Sequence, residues 1–341
     1  MNLKSVFSLL LVPVALAAGP AGAQSPPPQP EVRPQAQAPA GAERRTIRHD
    51  GLERSYTLVR PPGVAHPAPL LLVLHGGGTA DGATTFRLGF QKLAARDGVV
   101  TVHPDGRGEG WADGRSGAYL TERQGGVVDD VGFLTALVAA LVAEGIADPA
   151  RVYVTGGSNG GMMTLRLACE AAGTFAAVAP FIANFAVGMT QSCKPSRPMP
   201  ILMINGDADP LMPFAGGRVA AMAPGDRGSV ISSDETLNWW ARFNGCTAKP
   251  AVTRLPDANP ADGTRVRQEQ FAGCKPGTEV TRFVVEGGGH ALPGMPMPAD
   301  GPRAKMAARL IGPVSRDIDG AAVIWSFFTR HGMLTQPATE K

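Results

Sequence analysis

The sequence predicts an α/β protein built on a doubly wound, mostly parallel β-sheet. Short and almost wholly apolar segments, such as Pro69–His75 and Ile201–Asn205, have the composition of strands buried on both faces. They alternate with segments of helical periodicity, as expected when helices cover both faces of a parallel sheet. Near the start, Asp50-Gly51 opens a turn between two β-type segments, which indicates an antiparallel hairpin. We therefore expect one sheet that begins with a hairpin.

The predicted elements follow one another along the chain. Strands are expected at Arg45–His49, Tyr56–Arg60, Pro69–His75, Val99–His103, Val152–Thr155, Phe175–Phe181, Ile201–Asn205 and Thr281–Glu286. Helices are expected at Phe90–Asp97, from Asp129, after Ser158, from Ser232 or Ser233, and at Ala321–His331. The segment 250–276 shows neither period and is predicted to be an irregular excursion at the sheet edge.

Charge and length favour a single enzyme-sized domain. The 341 residues include 32 basic and 29 acidic side chains, for a net charge of +3, without a basic cluster. This balance argues against nucleic acid as a partner. Because neither a second core nor an internal repeat is evident, we expect one catalytic domain over residues 43–335 and a short tail at 336–341.

The N-terminal region has the pattern of an export signal. Residues 1–23 combine Lys4, an apolar stretch broken by Pro13, and a small-residue cleavage site at Ala21-Gly22-Ala23. Residues 24–42 are rich in Pro, Gln and Ala, which is typical of a disordered tether. No cysteine stands directly after the apolar stretch, so a lipid anchor is not expected. The sequence predicts a secreted or periplasmic protein without a membrane anchor.

The four cysteines, Cys169, Cys193, Cys246 and Cys274, are predicted to form two disulfides. An even number suits an oxidising compartment, and their spacing matches no zinc pattern. Three pairings are possible. Proximity along the chain favours Cys169–Cys193 and Cys246–Cys274, because short loops close most easily. Neither a metal nor an organic cofactor is expected.

The stretch RVYVTGGSNGGMMTLRL, from Arg151 to Leu167, is predicted to carry a nucleophile. An apolar strand leads into Gly156-Gly157-Ser158-Asn159-Gly160, which matches G-x-S-x-G, and a helical segment follows. Strand, tight glycine turn and helix together form the context of a nucleophile elbow. Glycines are needed because a Cβ at either flank would meet the packed strand and helix. Ser158 is therefore the candidate nucleophile.

A serine hydroxyl needs a base to take its proton and an acid to orient that base. Of six histidines, His290 is the candidate base because it follows the last predicted strand in a GGGH loop. His75 is predicted instead to brace the glycine loop beside it. The acid is expected between Ser158 and the base in chain order, just past a strand end. Asp207 and Asp209 satisfy this about equally on chemistry alone.

The oxyanion of an acyl-transfer intermediate needs two fixed N–H donors. Asn159 N–H, directly after the nucleophile, is one candidate. The second is expected from the glycines of the HGGG segment, with Gly77 preferred over Gly78.

Trp111 is a further candidate, because it lies in a long loop after an early strand. Such loops surround the site in open α/β sheets. We predict that Trp111 lines the substrate pocket, with Asp113 and Arg115 paired to hold the loop; the alternative is a buried loop anchor.

Several motifs together resemble the secreted polyhydroxybutyrate-depolymerase-like esterases, relatives of feruloyl and acetyl xylan esterases on the α/β-hydrolase fold. They run through most of the chain: GLERSYTLVRPPG, LHGGG, WADGR, VVDDVGFL, RVYVTGGSNGGMM, GDADPLMPFAGG, NGC and GGGHALPG. The resemblance implies that the second carboxylate of GDADP, Asp209, is the acid. It also supports both disulfide pairings.

The sequence departs from that family at two places. Asn205-Gly206 stands where His-Gly is common, and Ala291-Leu292 replaces the Thr-Trp of the usual GGGHTWPG. The second change removes an expected aromatic wall beside the base and affects specificity. We expect no polymer-binding module after the catalytic domain. Soluble oligomers or small esters are therefore expected as substrates on equal terms with solid polyester.

The function predicted from these features is a serine esterase that hydrolyses carboxylic esters through an acyl-enzyme. One alternative is a feruloyl or acetyl xylan esterase, for which Trp111, Trp239 and Trp240 are the available pocket aromatics. A less favoured alternative is a peptidase. A different class, a catalytically silent exported binding protein, is disfavoured because all three candidate catalytic residues are present.

Overall fold

The computed structural model describes residues 39–115, 124–220, 225–247, 249–297 and 301–333. All of them belong to one compact unit. The predicted signal segment at 1–23, nearly all of the predicted tether at 24–42 and the tail at 336–341 lie outside these ranges. Every helix within them is too short or too polar to cross a membrane.

The strands confirm a mostly parallel sheet with an N-terminal hairpin. They are β1 (Ala42–His49), β2 (Leu52–Val59), β3 (Ala68–Leu74), β4 (Val100–Pro104), β5 (Ala147–Gly157), β6 (Ala177–Phe181), β7 (Ile201–Gly206), β8 (Gly217–Arg218), β9 (Ser229–Val230), β10 (Ala251–Arg254), β11 (Arg265–Gln270) and β12 (Val280–Glu286). Among the described residues the main sheet has the order β1-β2-β4-β3-β5-β6-β7-β12-β11-β10. The strands from β4 to β12 in this order are parallel, and those at both edges are antiparallel.

Helices cover both faces of the sheet, as the doubly wound prediction requires. They are α1 (Phe90–Asp97), α2 (Asp130–Ala143), α3 (Asn159–Glu170), α4 (Met189–Ser192), α5 (Ser233–Phe243), α6 (Pro302–Ile311) and α7 (Gly320–Phe328), with 3₁₀ turns at Gly82–Leu88 and Pro260–Asp262. Leu70 and Leu72 of β3 pack in the core with α2, α3 and α5, whereas Leu71 and Val73 pack in the core with α1 and α7. Successive strand residues therefore face opposite layers.

Capping residues mark the helix ends. Asp129 caps α2 by accepting the Gly132 N–H, and Ser232 forms a capping box with Glu235 at α5. Gly98 ends α1 in the left-handed conformation. In α2, one apolar stripe lies in the core: Leu134, Leu137, Val138 and Leu141.

The prediction that 250–276 is irregular is wrong. This segment contains β10 and β11, which pair antiparallel with each other and extend the sheet beyond β12. The strand β11 reads RVRQEQ, so it has no apolar run, and only Val266 and Glu269 are buried. Glu269 is neutralised there by Arg282 of the neighbouring strand, at 2.5 Å. A strand whose buried positions include a charged side chain does not show the apolar pattern by which a buried strand is predicted.

Both predicted disulfides are present. Cys169 at the end of α3 pairs with Cys193, and Cys246 after α5 pairs with Cys274 before β12. The second bridge lies at the amino end of β12. The first bridge therefore joins α3 to the segment after α4, and the second joins the segment after α5 to the segment before β12.

Glu279, directly before β12, ties the end of the described chain to the sheet. Its carboxylate accepts hydrogen bonds from His331 Nε2 (3.2 Å), Arg330 Nη2 (3.0 Å) and Thr281 Oγ1 (2.9 Å). Burial by itself would raise the pKa of Glu279, but these donors outweigh it and lower the pKa from 4.5 to about 2. The ionised form is thus favoured by folding.

Glu279→Gln is expected to reduce the free energy of unfolding at neutral pH, and the difference from the parent should shrink on acidification. Because the folded pKa lies below the unfolded value, the carboxylate stabilises the fold above about pH 4.5 and loses this effect as pH falls toward 2. Urea unfolding at several pH values measures the difference. Glu53→Gln, at an exposed position of β2, is the matched control. A pH-independent difference between Glu279→Gln and the parent would contradict the expectation.

Candidate active site

The candidate nucleophile, Ser158, lies in a sharp turn between β5 and α3. Its backbone has φ 57° and ψ −122°, a conformation that costs energy for a residue with a Cβ. The turn is held by two bonds: Ser158 N–H donates to Phe181 O (3.1 Å), and Met162 N–H donates to Ser158 O (2.9 Å). The side chain is half-buried. This is the strained elbow geometry that the motif predicts.

The two flanking glycines are required by close backbone approach. A Cβ at Gly160 would lie 2.3 Å from the His75 carbonyl oxygen, and a Cβ at Gly156 would lie 2.6 Å from the Gly160 carbonyl oxygen. Any side chain at these positions would push strand, helix and glycine loop apart. The G-x-S-x-G pattern is therefore a packing requirement of this turn.

His290 and Asp209 are brought together across two loops. His290 Nδ1 lies 2.7 Å from Asp209 Oδ2, and their side chains are only 10% and 1% exposed. The other oxygen of Asp209 accepts the N–H groups of Leu211 and Met212, each at 2.8 Å. With a carboxylate on Nδ1, this nitrogen carries the proton and Nε2 is left as an acceptor.

Asp207 has a different place. It is exposed, and its Oδ1 accepts the Gly287 N–H at 2.6 Å. Asp207 thus fastens the start of the histidine loop, whereas Asp209 contacts the imidazole.

The histidine loop is further supported by the end of α6. The His290 N–H donates to Ile311 O, and the Gly289 N–H donates to Pro313 O at 2.8 Å. A Cβ at Gly289 would lie 1.9 Å from the Ile311 carbonyl oxygen, so only glycine permits this approach. The GGGH loop is recognisable in the sequence, whereas the helix that supports it, α6, is not among the predicted elements.

Ser158 and His290 line the same cleft, which has a volume of about 570 Å³. No hydrogen bond joins the two side chains in the described part of the chain, which is common before substrate binds. The cleft walls are mostly apolar. Leucine and methionine residues from 292–311, a region without predicted elements, also line the cleft: Leu292, whose side chain is buried, Met295, Met297 and Leu310.

Two residues that line the cleft have backbone N–H groups without a hydrogen-bond acceptor among the described residues. Asn159 is the first residue of α3, so its N–H has no partner within the helix. In the glycine loop, Gly78 N–H donates to Glu109 O at 2.9 Å, while no acceptor for Gly77 N–H occurs among the described residues. A Cβ at Gly77 would lie 3.6 Å from the Asn159 Cβ, which shows how near the two backbones are. The geometry thus favours Gly77 over Gly78 as a donor.

His75 braces the glycine loop as predicted. Its Nε2 accepts the Gly106 N–H and its Nδ1 donates to Gly76 O, both at 2.8 Å. Burial lowers the pKa of His75, so the neutral ring is favoured. Both ring nitrogens of His75 therefore hold backbone groups, those of Gly76 and Gly106.

The prediction that Trp111 lines the substrate pocket is wrong. Its side chain is fully buried, packs 4.8 Å from the His75 ring, and donates from Nε1 to His75 O at 2.9 Å. The indole therefore lies beneath the glycine loop as an anchor. The predicted pairing of Asp113 with Arg115 is confirmed at 2.7 Å. A sequence pattern places this tryptophan in a site-forming loop, but side-chain direction depends on packing.

Trp111→Ala is expected to lower the free energy of unfolding by about 3–5 kcal/mol, because it leaves a large cavity in the core. Activity should fall by a similar factor on acetyl, butyryl and octanoyl 4-nitrophenyl esters. Denaturant unfolding and kcat/KM on the three esters are the measurements. A loss confined to long acyl chains would show that the indole does contact substrate.

Metal binding receives no support from side-chain clustering. Within the described ranges, no group of three or more His, Cys, Asp or Glu side chains is arranged to hold an ion.

Comparison with known proteins decides the family. A putative esterase, NocK, from Nocardia uniformis subsp. tsuyamanensis is 34% identical over 279 residues, which are 79% of this chain and 78% of that protein. The chain belongs to the α/β-hydrolase esterase family. It is accordingly a serine hydrolase of carboxylic esters.

Further similarities agree with this assignment. Feruloyl esterase B from Piromyces equi is 30% identical to this chain over 232 residues, which are 66% of this chain but only 40% of that protein. The prolyl oligopeptidase family matches residues 84–194, which include the elbow but end before Asp209 and His290. The solved structure of an acetyl xylan esterase from Aspergillus awamori has a TM-score of 0.51 at 14% identity and covers 79% of this chain and 98% of its own. That likeness supports the fold.

Proposed function

We propose that Ser158, His290 and Asp209 form the catalytic triad of this esterase. The observation that carries the proposal is the 2.7 Å contact between His290 Nδ1 and Asp209 Oδ2 at a cleft that Ser158 also lines. Asp209 holds the proton on Nδ1, so His290 Nε2 is free to take the proton from Ser158 as its hydroxyl oxygen attacks the ester carbonyl.

The N–H groups of Asn159 and Gly77 are proposed to receive the carbonyl oxygen as it becomes an oxyanion. Both are backbone donors fixed before substrate arrives, which is the arrangement that stabilises charge developing in the transition state. His290 then returns its proton to the departing alkoxide, and the acyl group remains on Ser158. His290 then takes a proton from water, whose oxygen attacks the acyl carbonyl. The bond between the acyl carbon and Ser158 Oγ breaks, the carboxylic acid leaves, and His290 returns the proton to the serine.

For the substrate, we propose aliphatic esters of the hydroxyalkanoate type, as oligomers or small esters, in the manner of polyhydroxybutyrate depolymerases. The cleft supports this through its leucine, isoleucine and methionine walls. Among its described lining residues, the only aromatic ring besides the histidines is that of Phe181. Leu292, at the place where the resembling family has tryptophan, is aliphatic and borders the cleft, but its side chain is buried against Gly320.

The second candidate is a feruloyl or acetyl xylan esterase, favoured by the relatives with those names. A planar feruloyl group calls for aromatic faces, but Trp240 is fully buried and Trp239 packs between Phe185 and Phe243. Neither tryptophan lines the cleft among the described residues. The aliphatic ester is therefore the better match, and an acetyl group is also compatible with these walls.

A substrate panel tests the choice. We expect kcat/KM on hydroxybutyrate oligomers and on the best aliphatic 4-nitrophenyl ester to exceed that on methyl ferulate by at least about 10-fold. Acetylated xylan and a peptide ending in a 4-nitroanilide complete the panel. Preference for methyl ferulate or acetylated xylan would transfer the assignment to the second candidate. Preference for the anilide would indicate a peptidase.

We also propose that the esterase is secreted or periplasmic. Two disulfides support an oxidising compartment. Fractionation of cells that express the full chain, beside a variant lacking residues 1–23, provides the test. Retention of both forms in the cytoplasm would contradict the proposal.

A further inference from the structure

Asn159 has a side chain that is wholly engaged by the Trp111–Arg115 loop. Its Oδ1 accepts the Trp111 N–H at 2.7 Å, and its Nδ2 donates to Trp111 O at 3.0 Å and to Asp113 Oδ2 at 2.5 Å. Asn159, whose backbone N–H is proposed to receive the oxyanion, is therefore held through its side-chain amide. The clamp comes from a loop distant in sequence.

Asp113 is the charged member of this clamp. It is fully buried, and its carboxylate receives Nε and Nη2 of Arg115 at 3.0 and 2.7 Å. Arg115 is itself 7% exposed and donates from Nη1 to Arg227 O at 2.8 Å, which links the clamp to the cleft wall. A buried carboxylate is costly unless it is paired and hydrogen-bonded, and here both conditions are met.

We propose that Asp113 is a positioning residue of the oxyanion hole, which acts through the Asn159 side chain. This inference rests on the proposed roles of Ser158 and Asn159. The elbow is strained at Ser158, and such a conformation persists only where the surroundings hold it. A charge-assisted bond to Asn159 Nδ2 holds the next residue more firmly than a neutral acceptor does. Arg115 neutralises the negative charge of the Asp113 carboxylate that accepts this bond.

The consequence is specific to the transition state. Oxyanion donors act where negative charge develops. A small displacement of such a donor therefore lowers the rate of the chemical step more than it weakens substrate binding. Loss of Asp113 should therefore lower kcat at nearly constant KM. It should weaken a trifluoromethyl ketone inhibitor in parallel, because the hemiketal alkoxide formed on Ser158 occupies the same N–H donors.

The test compares Asp113→Ala, Asp113→Asn and the parent, with activity expressed per active site titrated by a fluorophosphonate. Asp113→Ala is expected to lower kcat about 10- to 100-fold with KM within about threefold, and to raise the trifluoromethyl ketone Ki by the same factor as kcat falls. Asp113→Asn keeps an oxygen acceptor for Asn159 and should lose about 3- to 10-fold. Glu269→Gln, at a buried carboxylate of β11 that pairs with Arg282 of β12, is the matched control.

Unchanged kcat per titrated site in Asp113→Ala would overturn the inference, as would an equal loss in Glu269→Gln. If Asp113→Ala does not fold, the same criteria apply to Asp113→Asn. Failure of the proposed function is recognised separately, because the parent itself would then lack fluorophosphonate labelling at Ser158.

Discussion

Replacing Ser158 by alanine is expected to lower kcat by at least about 10⁴-fold, and replacing His290 by alanine should cost a similar factor. The two act as one unit. Without the base the serine is a poor nucleophile, and without the serine the base has no hydroxyl proton to remove. For the same reason the double variant should be hardly slower than either single one. Steady-state kinetics and fluorophosphonate labelling, which should be lost in both single variants, are the measurements.

Neither substitution should unfold the protein, which near-ultraviolet circular dichroism checks. Ser326→Ala, at an exposed serine of α7, is the matched control and should retain full activity. Substantial hydrolysis by Ser158→Ala would rule out the serine mechanism and with it the triad.

Asp209→Asn is expected to lower kcat by about 10³- to 10⁴-fold. An amide nitrogen opposite Nδ1 cannot accept its proton, so the imidazole adopts the tautomer with the proton on Nε2 and loses its function as a base. The change is nearly isosteric, and an amide oxygen can still accept the N–H groups of Leu211 and Met212. The loss should therefore appear in rate much more than in stability.

Asp207→Asn is the matched control two residues away. Its amide oxygen still accepts the Gly287 N–H, and its side chain is exposed, so a loss below about 10-fold is expected. If Asp207→Asn were the more damaging change, the orienting role would pass to Asp207, while the assignment of Ser158 and His290 would stand.

The fold class, the candidate nucleophile and the candidate base can be predicted from the amino-acid sequence alone. Local signals suffice for these: apolar strands alternate with helices, the elbow is a contiguous motif, and His290 follows a recognisable strand. The two disulfide pairs were also accessible, because their partners are near in sequence. The choice of Asp209 over Asp207 came from the family resemblance, since both carboxylates have the same chemistry and the same strand-end position.

Which of Asp207 and Asp209 contacts the imidazole is visible only in the folded protein, because it depends on how the loop after β7 meets the loop after β12. The same holds for Trp111, whose position in a site-forming loop gave no sign that its indole turns into the core. The strands β10 and β11 cannot be predicted from hydrophobicity, because β11 carries charged side chains and its buried Glu269 is neutralised only by Arg282 of the neighbouring strand. The clamp of Asp113 on Asn159 joins residues 46 positions apart, and only folding brings the two side chains within hydrogen-bond distance.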